Sequence, residues 1–228
     1  MTSTTSTQSA ALTINFDKED SVTLIVGPKK RELLVHANHI TRNSEFFKRA
    51  LKKEWREGQT RTISMPTDDY ETTTNYLRFV YGAQLPIELE LRRSSCHRLP
   101  TASELEEIQN AYMSSTKFYV LGCRLMDKTF KEAVIAKMLD IFHVCYACFI
   151  NDTLFNPGPM PANTIYEETL ETDPVRRLVV DMHMKHPQDL IPGYHSGFLL
   201  DLAQGFSKTV RSQLKIGDNV LELRSYTS

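Results

Sequence analysis

Runs of apolar residues along this chain change period several times, and each change predicts a new element. Val22 to Val26 is β-branched and aliphatic. After Gly27-Pro28 and the basic Lys29-Lys30-Arg31 comes a second apolar run, Leu33-Leu34-Val35, so the two predict a β-hairpin. His36 to Thr41 is compact. Ser44 then stands as an N-cap for a helix whose apolar residues Phe47, Ala50 and Leu51 recur at spacings of three and four; two short helices fit, with Gly58 ending the second. From Thr60 to Met65 the residues Arg61, Ile63 and Met65 alternate with Thr60, Thr62 and Ser64 until Pro66, which is a strand pattern.

Beyond Pro66 the period becomes helical. Asp68 with Glu71 forms a capping-box pattern ahead of Tyr70, Thr73, Leu77, Val80 and Tyr81, and Gly82 closes that helix. Gln84 to Thr101 is polar and irregular and reads as a mobile insertion. Ser103 and Glu106 form a second capping pattern, and Leu105, Ile108, Tyr112 and Tyr119 mark one face of a long helix closing at Gly122. A further helix from Arg124 carries Phe130, Val134, Met138 and Ile141 and extends toward Ile150. The proline-rich run Asn156 to Pro161 reads as a linker unable to sustain helix or central strand. After it, Asp173-Pro174 supplies an N-cap and a first helical residue for Val175 to His186, and Phe198 to Leu214 predicts another helix. This second part is too short to bury a core easily and is expected to pack on the first.

Length and composition narrow the class. At 228 residues, with 41% hydrophobic and 24% charged residues, the chain fits a globular core plus an extension. Four cysteines, Cys96, Cys123, Cys145 and Cys148, are too sparse for a disulfide framework, so a reducing intracellular compartment, cytoplasm and/or nucleus, is expected. The Ser/Thr-rich start resembles neither a secretory signal nor a transit peptide and reads as a disordered tail, 1–17. The apolar stretch Ile141 to Ile150 is about half of what a membrane span requires. Net charge is −1, but it is segregated: Pro28 to Arg61 holds ten Lys or Arg against four Glu, whereas Pro66 to Asn110 holds eight acidic residues against four Arg. A solvated basic face, steering of a protein partner and nucleic-acid contact are the readings of that excess. The last is disfavoured because no docking motif accompanies the charge.

The order of elements is α+β, and several segments within it resemble a known family. Val22-Thr23-Leu24-Ile25-Val26-Gly27-Pro28, Val35-His36, Ser44-Glu45-Phe46-Phe47, Ala50-Leu51, Trp55-Arg56-Glu57-Gly58-Gln59, Ile63-Ser64-Met65-Pro66, Tyr76-Leu77 and Tyr81-Gly82 together look like the BTB/POZ signature in its filamentous-fungal form. Phe118 to Leu121 and Lys131 to Ala136 resemble that family's closing helices. The resemblance covers roughly 18–141 and implies a small sheet with a hairpin packed on a cluster of helices. An all-helical C-terminal extension, 142–228, follows, and the 84–102 segment is an insertion. Gly122-Cys123 stands where the family commonly has Ala-Asp. The function implied is a protein-protein interaction module that self-associates as a homodimer, acts as an adaptor, or does both. A substrate adaptor of a cullin-based ubiquitin ligase is an alternative, although the apolar-x-Glu motif of many cullin-binding members is not met at Glu88 or Glu90. The residues singled out for partner binding are His39, Ile40, Phe47, Trp55, Tyr81, Leu85 and Ile87.

Motifs for chemistry are near misses. No phosphate loop, dinucleotide turn or metal-binding His-Glu-x-x-His helix occurs. Cys145-x-x-Cys148 beside His143 reads either as half of a zinc or redox site or as buried small side chains. His183 and His186 share a helix face, with His195 as a conceivable third ligand. Gly193 to Gly197 places its serine one position late for a nucleophile elbow and reads as a loop. Arg92-Arg93-Ser94-Ser95 reads as a phosphorylation site or a plain loop. His36 suits a hydrogen-bonding role at a helix start. Trp55 reads as a cover for the core edge or an interface anchor, and only one of Phe46 and Phe47 can point inward. No enzyme activity, cofactor, metal or membrane partner is expected; a zinc-binding or nucleic-acid-binding regulatory protein is the alternative from another class.

Overall fold

The computed structural model describes residues 20–87, 89, 99–148, 157–185 and 192–214. The tail, Arg92 to Ser95 and His186 lie outside the described residues. The fold is α+β and divides into two compact units, residues 1–70 and 71–228.

In the first unit, β1 (Ser21–Val26) and β2 (Arg31–His36) pair antiparallel, with Val22 opposite Val35 and Val26 opposite Arg31. Gly27 takes φ 73° in the connecting turn, a conformation that favours glycine, and a Cβ there would press to 3.2 Å from the Asp68 carbonyl oxygen. Three short helices follow: α1 (Ala37–Thr41), α2 (Glu45–Ala50) and α3 (Arg56–Thr60). They form the crossover that brings β3 (Thr62–Met65) parallel to β1, with Leu24 opposite Ile63, giving the order β2-β1-β3. The alternation read in the sequence has a physical outcome: Val22, Leu24 and Val26 of β1, Val35 of β2 and Ile63 and Met65 of β3 are all buried. Ser44 caps α2 as expected, its hydroxyl accepting the Phe47 amide at 3.2 Å. The helix count differs, because Gly58 lies inside α3 rather than ending a second helix.

The second unit is helical among its described residues: α4 (Tyr70–Val80, whose first residue closes the first unit), α5 (Ala102–Arg124), α6 (Lys128–Cys148), α7 (Pro159–Glu168), α8 (Pro174–Lys185) and α9 (Ser196–Leu214). The capping box of α5 sits two residues earlier than expected. Thr101, extended after Pro100, accepts the Glu104 amide at 3.3 Å while the Glu104 carboxylate accepts the Thr101 amide at 2.9 Å, leaving Ser103 in the first turn. Nor does Gly122 close α5. It is interior, and a Cβ there would meet Lys131 Cγ at 2.9 Å and Phe130 Cδ1 at 3.0 Å, so glycine permits the close approach of α6. The proline run also differs from expectation: Pro159 and Pro161 fall in the first turn of α7, where a missing N–H removes no helical bond. Residues 141 and 142 lie within α6, and α7 packs on α5, α8 and α9. No helix among the described residues is long and apolar enough to cross a membrane.

Asp127 joins two of these helices. One carboxylate oxygen accepts the Phe130 amide at 2.9 Å, capping α6, and the other accepts the Tyr76 hydroxyl of α4 at 3.0 Å. Tyr76 also stacks edge-on against Phe130, with centroids 4.8 Å apart. The side chain is fully buried, so Asp127→Ala removes a cap and a charge-assisted bond at once. It is expected to lower unfolding free energy by about 2–3 kcal/mol, measured by urea titration.

Candidate functional site

The residues singled out for partner binding separate by exposure. His39, Ile40 and Phe47 are buried, as are Leu85 and Ile87, so their side chains support the fold rather than present a surface. Tyr81 is partly exposed just beyond α4. Trp55 is 58% exposed at the start of α3, which removes the reading of it as a cover for the core edge. Phe47 is the inward member of its pair; Phe46 is half-buried and meets it edge-on at 5.2 Å. His36 stands at the N-cap position of α1, as its place in the sequence suggested, but contributes no side-chain capping bond there.

The near-miss motifs are dispersed. On α6 Cys145 is buried and His143 exposed, so they occupy different faces; the Cys148 side chain lies outside the described residues. On α8 His183 is buried, with Nδ1 2.7 Å from the Val179 carbonyl and Nε2 3.3 Å from the Tyr194 hydroxyl. Burial lowers its pKa, only partly opposed by the carbonyls of Val179 and Pro157. His195 spends Nδ1 on the Gly197 amide at 3.0 Å, and its own amide donates to Asn163 at 2.7 Å. Both histidines therefore serve the residues just ahead of α9 and its first turn, Tyr194 to Gly197. Ser196 and Gly197 begin α9 instead of forming part of a loop. Among the described residues no group of three His, Cys, Asp or Glu is placed to hold a metal ion.

One polar cluster was visible in the sequence only as a helix cap. Asp173 caps α8 as expected, its carboxylate accepting the Val175 amide at 3.1 Å, but the same group also accepts the Tyr119 hydroxyl of α5 at 2.6 Å and the Lys131 ammonium of α6 at 3.0 Å. Cys123 Sγ lies 3.7 Å from it. Burial alone would raise the Asp173 pKa; the bonds from Tyr119, Val175 and Lys131 outweigh burial and hold it below its ordinary value. Burial likewise opposes the charge on Lys131, yet Asp173 and Cys123 keep its pKa raised. Burial, offset in part by Lys131, pushes the Cys123 thiol up to about 11. A thiol held protonated near neutrality is a poor nucleophile, and every oxygen of the carboxylate is already engaged. Chemically this cluster ties α5, α6 and α8 together rather than offering a reactive centre.

Beside it, a cleft of about 680 Å³ lies against α8 and α9, lined among others by Arg176, Asp181, Asp201, Gln204 and Lys208. Both of its guanidinium groups are engaged: Arg176 donates to the carbonyls of Tyr166 and Thr169 and lies 4.6 Å above the Tyr166 ring, and Arg177 stands 3.6 Å from the Asp181 carboxylate. Asp201 is engaged too, accepting the Tyr166 hydroxyl at 2.7 Å. No protein-family model matches the chain, and no curated protein matches it.

Two pH-linked outcomes follow from these positions. Asp173→Ala leaves Lys131 half-buried without its partner and is expected to cost about 2–4 kcal/mol at neutral pH by urea titration. Because the native carboxyl titrates below its ordinary value, that difference is full above about pH 4 and shrinks as pH falls further. His183, whose folded pKa is depressed, contributes stability that is present above about pH 6.5 and lost on acidification. His183→Gln is expected to flatten the fall in thermal midpoint between about pH 7 and pH 5, whatever its starting stability.

Proposed function

We propose that this chain is a non-enzymatic protein-interaction module of the BTB/POZ kind. The observation that carries the reading is the sheet order β2-β1-β3, with a parallel β1–β3 pair connected through α1, α2 and α3. Those elements are the segments whose residues resemble the family, from Val22 to Pro28 through Ile63 to Pro66. The chemistry of the polar clusters supports the same reading, since Asp173, His183 and Arg176 each spend their polar atoms on holding helices and loops. On this reading the module self-associates and joins a larger assembly, with the helices after α6 as the part that distinguishes it from a bare interaction domain.

Light scattering coupled to size-exclusion chromatography tests this. A mass near twice 26.2 kDa is expected for the purified chain. A strict monomer that also fails to capture a cullin N-terminal domain would overturn the proposal.

A further inference from the structure

Between α2 and α3 the chain makes a tight knuckle around Trp55. The Lys52 amide donates to the Arg49 carbonyl at 3.2 Å, and the Trp55 amide to the Lys52 carbonyl at 3.0 Å. Gln59 closes the other side, its amide reaching the Trp55 carbonyl and its side chain the Lys53 carbonyl, both at 3.1 Å. Gly58 lies so close over this turn that a Cβ would come within 2.6 Å of the Lys52 carbonyl carbon. The indole is thus both exposed and carried on a backbone that has little freedom left to lose. An aromatic presented this way is the kind of group that anchors interfaces.

The charges around it point to the partner. Arg49, Lys52, Lys53 and Arg56 are exposed and, among the described residues, form no ion pair; Lys48 is paired with Glu45 at 2.5 Å. Glu54 is the one exposed carboxylate between Arg49 and Arg56. Lys52, Lys53 and Arg56, exposed cations within three positions of one exposed aromatic, complement a segment that carries carboxylates and an apolar side chain. Duplex DNA fits less well: its charges recur about every 1.7 Å, and Glu45 and Glu54 interrupt the basic surface that would track them. A net charge of −1 on the whole chain adds no attracting field.

We propose that the knuckle formed by Lys52, Lys53, Trp55 and Arg56 docks an acidic segment of a partner protein, whose apolar side chain covers the indole while its carboxylates pair the cations. This rests on the reading of the chain as an interaction module and names the chemistry of one partner.

Trp55 is the sole tryptophan of the chain, so its fluorescence reports on this site alone. The full chain is titrated with a synthetic glutamate-leucine peptide, with the same peptide carrying glutamine for glutamate, and with a DNA duplex of arbitrary sequence. The expected result is a blue-shifted, quencher-protected emission with the acidic peptide only, weakening as salt rises. Combined Lys52→Gln, Lys53→Gln and Arg56→Gln is expected to weaken that binding by about tenfold, the joint worth of three exposed ion pairs. Trp55→Ala, followed by calorimetry, is expected to weaken it with the thermal midpoint unchanged, because the side chain is exposed. Equal response to the glutamine peptide, tighter binding of the duplex, or no response would overturn the proposal. A chain that self-associates in light scattering yet gives no Trp55 response overturns this inference alone.

Discussion

The helical unit depends on one carboxylate. Asp173 begins α8, and through Tyr119 and Lys131 it fixes that beginning to α5 and α6. Hydrophobic burial brings helices together without specifying where along their length they meet. A charged group with only 10% of its side chain exposed specifies that point, because any displacement strands an ammonium, a phenol or a helix amide. The apolar contacts of Val175, Val179 and Phe198 then have a fixed frame in which to pack.

In the first unit the corresponding constraint is topological. Because β1 lies between β2 and β3, the chain leaving β2 has to pass across a strand before it can pair again, so a tight turn cannot make the link, and here the span is filled with three helices of only five or six residues. Helices this short lack stability of their own and depend on the sheet beneath them. Their side chains therefore divide sharply: Ile40 and Phe47 go fully inward, while the basic residues and Trp55 remain outside. The segregation of charge along the sequence becomes, in the fold, a consequence of how little interior such short helices can offer.

Legibility followed the range of the interaction. The hairpin, the third strand, the Ser44 cap and the Asp173 cap all rest on neighbours within a few residues, and period and capping residues revealed them. The errors arose where a local signal had two meanings. Gly58 and Gly122 read as helix ends but are close-approach residues inside helices, and the prolines of α7 read as breakers but occupy a first turn. Of the candidate surface residues, an apolar side chain such as Ile40 or Leu85 looks the same in sequence whether it lines a core or an interface, and only the fold separates them. The Asp173 cluster was half legible. Its capping role spans two residues, but Tyr119 and Lys131 stand 54 and 42 positions away, and no short-range pattern encodes that.

Gly122 gives the cluster its dimensions. The absent side chain leaves room for the Lys131 stem to cross the surface of α5, on the same stretch of α6 that carries Phe130. One extra methyl group would therefore act twice, wedging two helices apart and diverting an ammonium from its carboxylate. The separation between α5 and α6 works as a gauge length, and the electrostatics at the start of α8 inherit their tolerance from it. A position that looks like the least committed residue of α5 is in this sense held to glycine by its neighbours on α6.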